Sequence, residues 1–298
     1  IDDIYISLRD ASQADALKLE FREIAQRHKL SFAETSSEGV SHFDFGFNGN
    51  RTHAIHVVAP LAARTHPPAP REAGKAQLAI ILDDLGHDRS SADLLLALRF
   101  PVTISVLPHL PMSAEVADEA YRRGDQILLH LPMESQSEGE GSEGAVPESI
   151  ELHVGNDANH IESALNAMLA TVPHAVGVNN HQGSRATADP ALMQALMPAL
   201  RERNLFFIDS RTTAATVAYD TAERAGVRAA SRKVFLDDTL TRKAILAQLD
   251  LAARDALRDG SAIAIGHPHP ATIAALAEGV PSLEARGIQL VFASDLVH

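Results

Sequence analysis

The 298-residue sequence contains no cysteine and no tryptophan. Without cysteine the chain can form no disulfide, offer no thiolate to a metal and use no cysteine nucleophile. Basic residues are also in short supply. There are 26 Lys and Arg against 39 Asp and Glu, for a formal charge of −13. A field of that sign repels phosphate backbones and argues against a nucleic-acid partner. No apolar run approaches the roughly 20 residues needed to cross a bilayer, so no transmembrane segment is expected. What remains is ordinary for a folded soluble protein, at 45% hydrophobic and 22% charged residues, which excludes a disordered chain. Histidine is the one functional residue type in good supply, at 15. The chain begins at Ile1 rather than Met, so a preceding segment is expected to have been removed, a signal peptide or anchor among the candidates.

At about 150 residues per domain the length suggests about two domains, and the patterning agrees. Residues 1–60 read as a small α/β domain. Ile4, Ile6 and Leu8 alternate as in a half-buried strand; Leu17, Phe21, Ile24, Ala25 and His28 recur at helical spacing; Phe43, Phe45 and Phe47 alternate again. Asn48-Gly49 then offers hairpin chemistry before a strand over His53–Val58. Residues 61–77 are rich in Ala and Pro and read as a linker.

From Leu78 to His298 strands and helices alternate. Apolar runs at Leu78–Leu82, Val102–Leu107, Gln126–Leu129, Val176–Val178, Leu205–Ile208, Val227–Ala230 or Lys233–Leu236, Ala262–Ile265 and Gln289–Phe292 predict strands. Helices are predicted at Ser91–Arg99, from Ser113 to Arg123, around Ile161–Val172, after Asp189-Pro190, and over Thr241–Arg258 with Gly260 as its stop. Seven or eight parallel strands over about 220 residues match the size of a (β/α) barrel, distorted or closed, with a doubly wound open sheet as the alternative. Glu134–Glu151 breaks the rhythm with six acids, three glycines and no Lys or Arg, and reads as a long loop at the active face.

In such a fold, chemistry collects where strands end. The first run ends in Asp83-Asp84 and the third in His130-Leu-Pro-Met-Glu134. The fourth ends in Asn179-Asn180-His181-Gln-Gly183, the fifth in Asp209-Ser210 and the seventh in Gly266-His267-Pro-His269. Each could be a structural polar cap; five at corresponding positions suggest a site. Imidazoles and carboxylates together suit metal-assisted hydrolysis, in which a further carboxylate takes a proton from water and a further His protonates the leaving group. Neighbouring strand residues point to opposite faces, so Asp83 and Asp84 share one site only if the alternation relaxes at the strand end.

These segments, namely Ile81-Leu-Asp-Asp-Leu-Gly86, His130-Leu-Pro-Met-Glu134, Phe207-Ile-Asp-Ser210 and Ile265-Gly-His267, resemble a divergent branch of the polysaccharide deacetylase (NodB-like) family over about three quarters of the chain. The resemblance implies carbohydrate esterase activity on a distorted (β/α) barrel, a divalent metal such as zinc, an acetylated glycan or peptidoglycan-like substrate and a periplasmic or other extracytoplasmic setting. It implies Asp83 as general base, Asp84 and His130 as metal ligands, His267 as catalytic acid and Asp209 as the carboxylate that tunes it. The family's second ligand histidine is replaced here by Glu134, and its Arg-x-Pro-x-Gly motif is absent. We place His181, on the strand beside His130, as third ligand, with Glu134 and His269 as alternatives. The lack of tryptophan leaves Phe or Tyr for any stacking on sugar rings. A non-catalytic metal- or glycan-binding envelope module, or a hydrolase of non-sugar amides, are the competing functions.

Overall fold

The computed structural model describes residues 2–7, 13–37, 40–58, 74–95, 98–136 and 151–298. Most of the expected linker and the centre of the acidic Glu134–Glu151 loop lie outside them. The chain separates into two compact units, one drawn from residues 1–65 and the other from most of 66–298.

The smaller unit contains β1 (Asp2–Ser7), α1 (Gln13–His28), β2 (Ser31–Ser37), β3 (Val40–Phe47) and β4 (Asn50–Val58). Its sheet has the order β1-β4-β3-β2, with β1 parallel to β4 and the other pairs antiparallel. Asn48 and Gly49 both adopt positive φ, 52° and 80°, as a two-residue hairpin turn requires. Phe21 of α1 meets Phe43 and Phe45 edge-on, at ring-centroid distances of 5.1 and 5.9 Å. The phenylalanine row is therefore core, apart from the exposed Phe47 at its end.

The larger unit is a curled, half-barrel sheet with helices packed on its outer side. Its elements are β5 (Ala76–Leu85), α2 (Arg89–Leu94), β6 (Thr103–Val106), α3 (Ser113–Arg123), β7 (Gln126–Met133), α4 (Ala158–Thr171), β8 (Ala175–Gln182), α5 (Pro190–Glu202), β9 (Phe206–Asp209), α6 (Ala218–Arg224), β10 (Ala229–Ser231), β11 (Val234–Phe235), α7 (Arg242–Asp259), β12 (Ser261–Gly266), α8 (Pro270–Ala285) and β13 (Ile288–Val291). Eight strands follow one path, β10-β9-β8-β7-β6-β5-β12-β11, and β13 joins β5 to make the ninth. Every pairing is parallel. The path starts at β10 and ends at β11, so these two strands are its edges and the barrel stays open between them. Among the described residues no helix is long and apolar enough to cross a membrane.

Strand parity sorts the core into two. Leu78, Ile80 and Leu82 of β5, Ile127, Leu129 and Leu131 of β7, Val178 of β8, Phe207 of β9 and Ala262 and Ala264 of β12 pack with helix residues such as Val116, Ile161, Leu196 and Ile245. The alternate residues, Ala79, Ile81, Leu128, Phe206, Ile208, Ile263 and Ile265, form a separate cluster with the C-terminal Ala293, Leu296 and Val297 and no residue of α1–α8. That second cluster fills the concave side. Continuing its parity to the strand ends points Asp83, His130, Asn179, His181 and His267 inward.

Helix ends follow their local chemistry. The Asp189 carboxylate accepts from Leu192 N at 2.7 Å with Pro190 as the first helical residue, and Gly260 closes α7 at φ 88°. One position on β8 is set by bulk. A Cβ added at Gly177 would sit 2.6 Å from the ring of Phe206. Gly177→Ala is therefore expected to cost about 1–3 kcal/mol through overpacking, read as a lower denaturation midpoint in urea with an unchanged slope.

Candidate active site

The concave mouth gathers side chains from the C-terminal ends of six strands. Asp83 and Asp84 both reach it, and the backbone shows how. Pairing between β5 and β6 shifts register between Leu82 and Leu85, and Asp84 takes a left-handed φ of 60°. Inward parity carries Asp83; the kink rolls Asp84, which parity alone would turn outward, onto the same side. Aspartate is among the few non-glycine residues that adopt this conformation readily, and the strain sits at the candidate site, as is common.

Three donor atoms form a tight triangle. Asp84 Oδ1 lies 3.1 Å from His130 Nε2 and 2.9 Å from His181 Nδ1, and the two ring nitrogens are 3.1 Å apart. Bonds of about 2.0–2.2 Å from one ion would reach all three. The side chain of Asn179 fixes the tautomer of His130. Asn179 donates through Nδ2 to both oxygens of Asp83, at 2.9 and 3.1 Å, so its Oδ1 is the acceptor that faces His130 Nδ1 at 2.9 Å. Ser105 Oγ donates to the same Oδ1. In the neutral ring the proton sits on Nδ1, and the lone pair of Nε2 is directed at the triangle. Asp84 Oδ1 is buried and, for all its close neighbours, has no hydrogen bond in line. A buried acceptor left that way is costly. A cation shared with the two imidazoles removes that cost, so the residues present fit a divalent metal.

The neighbouring charges shape each proton affinity. Burial pushes the Asp83 carboxyl up, against the opposing pull of the His130 and His267 imidazoles. Burial also acts to raise Asp84, but the imidazoles of His130 and His181 outweigh it and hold that carboxyl far below the usual range. Burial acts to lower His130, and Asp83 and Asp84 overcome it and raise it. His181 is lowered by its burial, which suits a neutral ligand.

His267 stands across the triangle, with Nε2 3.5 Å from Asp84 Oδ2. Its Nδ1 is 3.1 Å from Asp237 Oδ1, while Asp237 Oδ2 accepts from the His267 backbone N–H at 2.7 Å and from Thr272 Oγ1 at 2.8 Å. Burial works to lower His267, but Asp237, Asp84 and Asp83 prevail and push it up to about 9.

Of the residues expected at the site, Asp83, Asp84, His130, His181 and His267 come together. Asp209 does not touch His267. It shares the parity of Phe207, which faces the helices, and its oxygens accept from Arg211 N and Thr216 Oγ1, both at 2.8 Å. The carboxylate on His267 is Asp237, just beyond β11, on the parity of Phe235, which packs toward the concave cluster. The run Val234-Phe-Leu-Asp237 carried the same strand-end signal as the others. The alternative ligands are engaged elsewhere. Glu134 accepts from Arg185 Nη1 and Val154 N, both at 2.8 Å. His269 forms a second close group with Asp237 and His267, where Asp237 is already occupied by hydrogen bonds.

Comparison with known proteins agrees with this architecture. A family model described as divergent polysaccharide deacetylase matches residues 80–297. An uncharacterized protein of Haemophilus influenzae is 39% identical over 217 residues, 73% of this chain and 75% of that protein. The uncharacterized protein YibQ of Escherichia coli K12 is 39% identical over 241 residues, 81% of this chain and 73% of its own length. The crystal structure of an uncharacterized protein from Agrobacterium tumefaciens C58 superposes with a TM-score of 0.70 at 27% identity, covering 76% of this chain and 91% of that one.

Proposed function

The chain belongs to the divergent polysaccharide deacetylase family, and on that premise we propose that it is a metal-dependent hydrolase that removes acetyl groups from a cell-envelope glycan. The observation that carries this reading is the buried triangle of Asp84 Oδ1, His130 Nε2 and His181 Nδ1, with Asp83 on one side and His267 on the other. We assign Asp84, His130 and His181 as ligands of a divalent ion, zinc first, because two imidazoles and a carboxylate suit it.

A divalent ion there supplies a Lewis acid and lowers the pKa of water toward neutrality. The chain's own groups do the rest. Asp83, held by Asn179, takes the proton as water adds to the acyl carbon. His267 gives its proton to the departing amine or alkoxide nitrogen or oxygen, so the C–N or C–O bond breaks with the charge neutralised. Asp237 positions His267 through Nδ1, which leaves Nε2 facing the site. The raised Asp83 is a better base than a solvent-exposed carboxylate, and the raised His267 is still an acid at neutral pH. The family relationship supports an acetylated substrate and an extracytoplasmic setting.

The test is metal analysis of the purified chain together with acetate release from N-acetylated and O-acetylated glycans. Stoichiometric metal and metal-dependent acetate release are expected. Metal without turnover on any acetylated glycan would leave a binding module and overturn the hydrolase reading. A further expectation concerns protons. Ligands must be deprotonated to bind, and the acids around His130 favour its proton. Metal uptake should therefore release a proton near neutral pH and weaken as pH falls, which titration in weakly buffered solution measures.

A further inference from the structure

We infer that Arg211 and Arg232 form a carboxylate-recognition edge beside this site, so that the acetylated glycan it takes carries an acid group. The inference rests on the hydrolase reading above and deepens it. Arg232 closes the arc between the base and the acid. Its Nε donates to Ser210 O at 2.5 Å and its Nη2 to Arg211 O at 2.8 Å. On the base side, Ser210 Oγ accepts from Asn179 Nδ2, the same amide nitrogen that holds Asp83. On the acid side, the guanidinium lies 5.0 Å over the ring of Phe235, whose centroid is 5.4 Å from that of His267. Two of the five donors of a guanidinium are thus spent on backbone carbonyls, in a way that fixes the plane of the group.

Arg211 follows directly. It takes a left-handed φ of 50°, pinned by its backbone N–H donating to Asp209 Oδ1, and its side chain is exposed. Among the described residues neither arginine has a carboxylate within ion-pair distance. Burial and Arg211 disfavour the charge of Arg232, while Asp238, Asp209 and Asp83 attract it from beyond ion-pair distance. A protein of charge −13 has thus set two like charges together at the mouth of its site with neither held in a direct ion pair. Like charges so placed cost free energy, and an anionic ligand removes that cost. A planar guanidinium with spare N–H groups matches a carboxylate in geometry.

The test is calorimetric binding to the full chain. The probes are N-acetylglucosaminyl-N-acetylmuramic acid, its uncharged methyl ester and di-N-acetylchitobiose, with acetate release followed in parallel. The acid should bind ~10-fold tighter than the ester, on the scale of one charge-assisted contact, and only its affinity should fall with added salt. Arg211→Glu should abolish the preference, and Arg232→Lys should reduce it several-fold. Arg211 is exposed, so its variant decides the matter if the Arg232 variant fails to fold. Equal binding of acid and ester, no binding of the acid, or a preference that survives Arg211→Glu overturns the inference. An arginine-dependent preference without acetate release from any glycan sinks the hydrolase reading and leaves the recognition edge standing. Acetate release with equal binding does the reverse.

Discussion

Asp84→Asn is expected to abolish stable metal binding and to lower acetate release by more than ~10³-fold, because a bound ion contributes several kcal/mol to stabilising the developing charge. Asparagine is the informative replacement. It accepts the left-handed backbone at φ 60° nearly as well as aspartate, so the kink that brings residues 83 and 84 to one side survives. What is lost is the charged oxygen at the apex of the triangle, 2.9 and 3.1 Å from the two imidazoles. His130→Ala should have the same consequence by a different route. It removes a nitrogen ligand while Asn179 keeps its hydrogen bonds to Asp83 and from Ser105. The readout separate from turnover is thermal. A ligand that binds only the folded state raises the melting temperature by mass action. Added zinc should therefore stabilise the native sequence and leave both variants unmoved. A variant that still melts higher with zinc, or still releases acetate at the native rate, removes Asp84 or His130 from the ligand set.

The succession of strands and the rim where the candidate residues gather are legible because strands covered on both faces read as apolar runs, and polar residues close most of these runs. The finer geometry depended on two things that a run of letters does not carry. One is the sense of the alternation along a strand. Asp209 and Asp237 both close apolar segments, but Asp209 shares the parity of Phe207, which packs on helices, and Asp237 that of Phe235, which packs on the concave cluster. Counting parity back from a core residue of known direction separates them, and only the fold supplies that direction. The other is the break in alternation at Asp83-Asp84, which requires a register shift and a positive φ. Helices α6 and α8 are not among the expected helices; α6 is only seven residues long, and α8 contains Pro281, a residue that ordinarily argues against a helix interior. Asn179 is visible in the sequence as a polar strand end, but its part in linking Asp83 to His130 through opposite ends of one amide depends on how three strand ends are placed in space.

The second large effect is expected at His267. His267→Ala should lower turnover by about 10²–10⁴-fold, the usual range for a lost general acid, with metal content unchanged. The more diagnostic variant is Asp237→Asn. The sign follows from the proton that His267 must carry. Its pKa is raised to about 9 by Asp237, Asp84 and Asp83, so the acid form persists through neutral pH and is lost as pH rises through that value. A cation on Asp84 weakens one of the three supports, and the alkaline limb of the metal-loaded protein lies lower; the support from Asp237 is untouched. Replacing that carboxylate by an amide removes the adjacent negative charge and lets burial lower the imidazole. The alkaline limb of kcat/KM should therefore move to lower pH by about one to two units, at roughly tenfold in rate per unit above the new limb. Asp209→Asn should leave the limb in place, since its oxygens are taken by Arg211 N and Thr216. A limb that moves with Asp209 and stays put with Asp237 would return the orienting role to the strand-β9 carboxylate and contradict the geometry of His267.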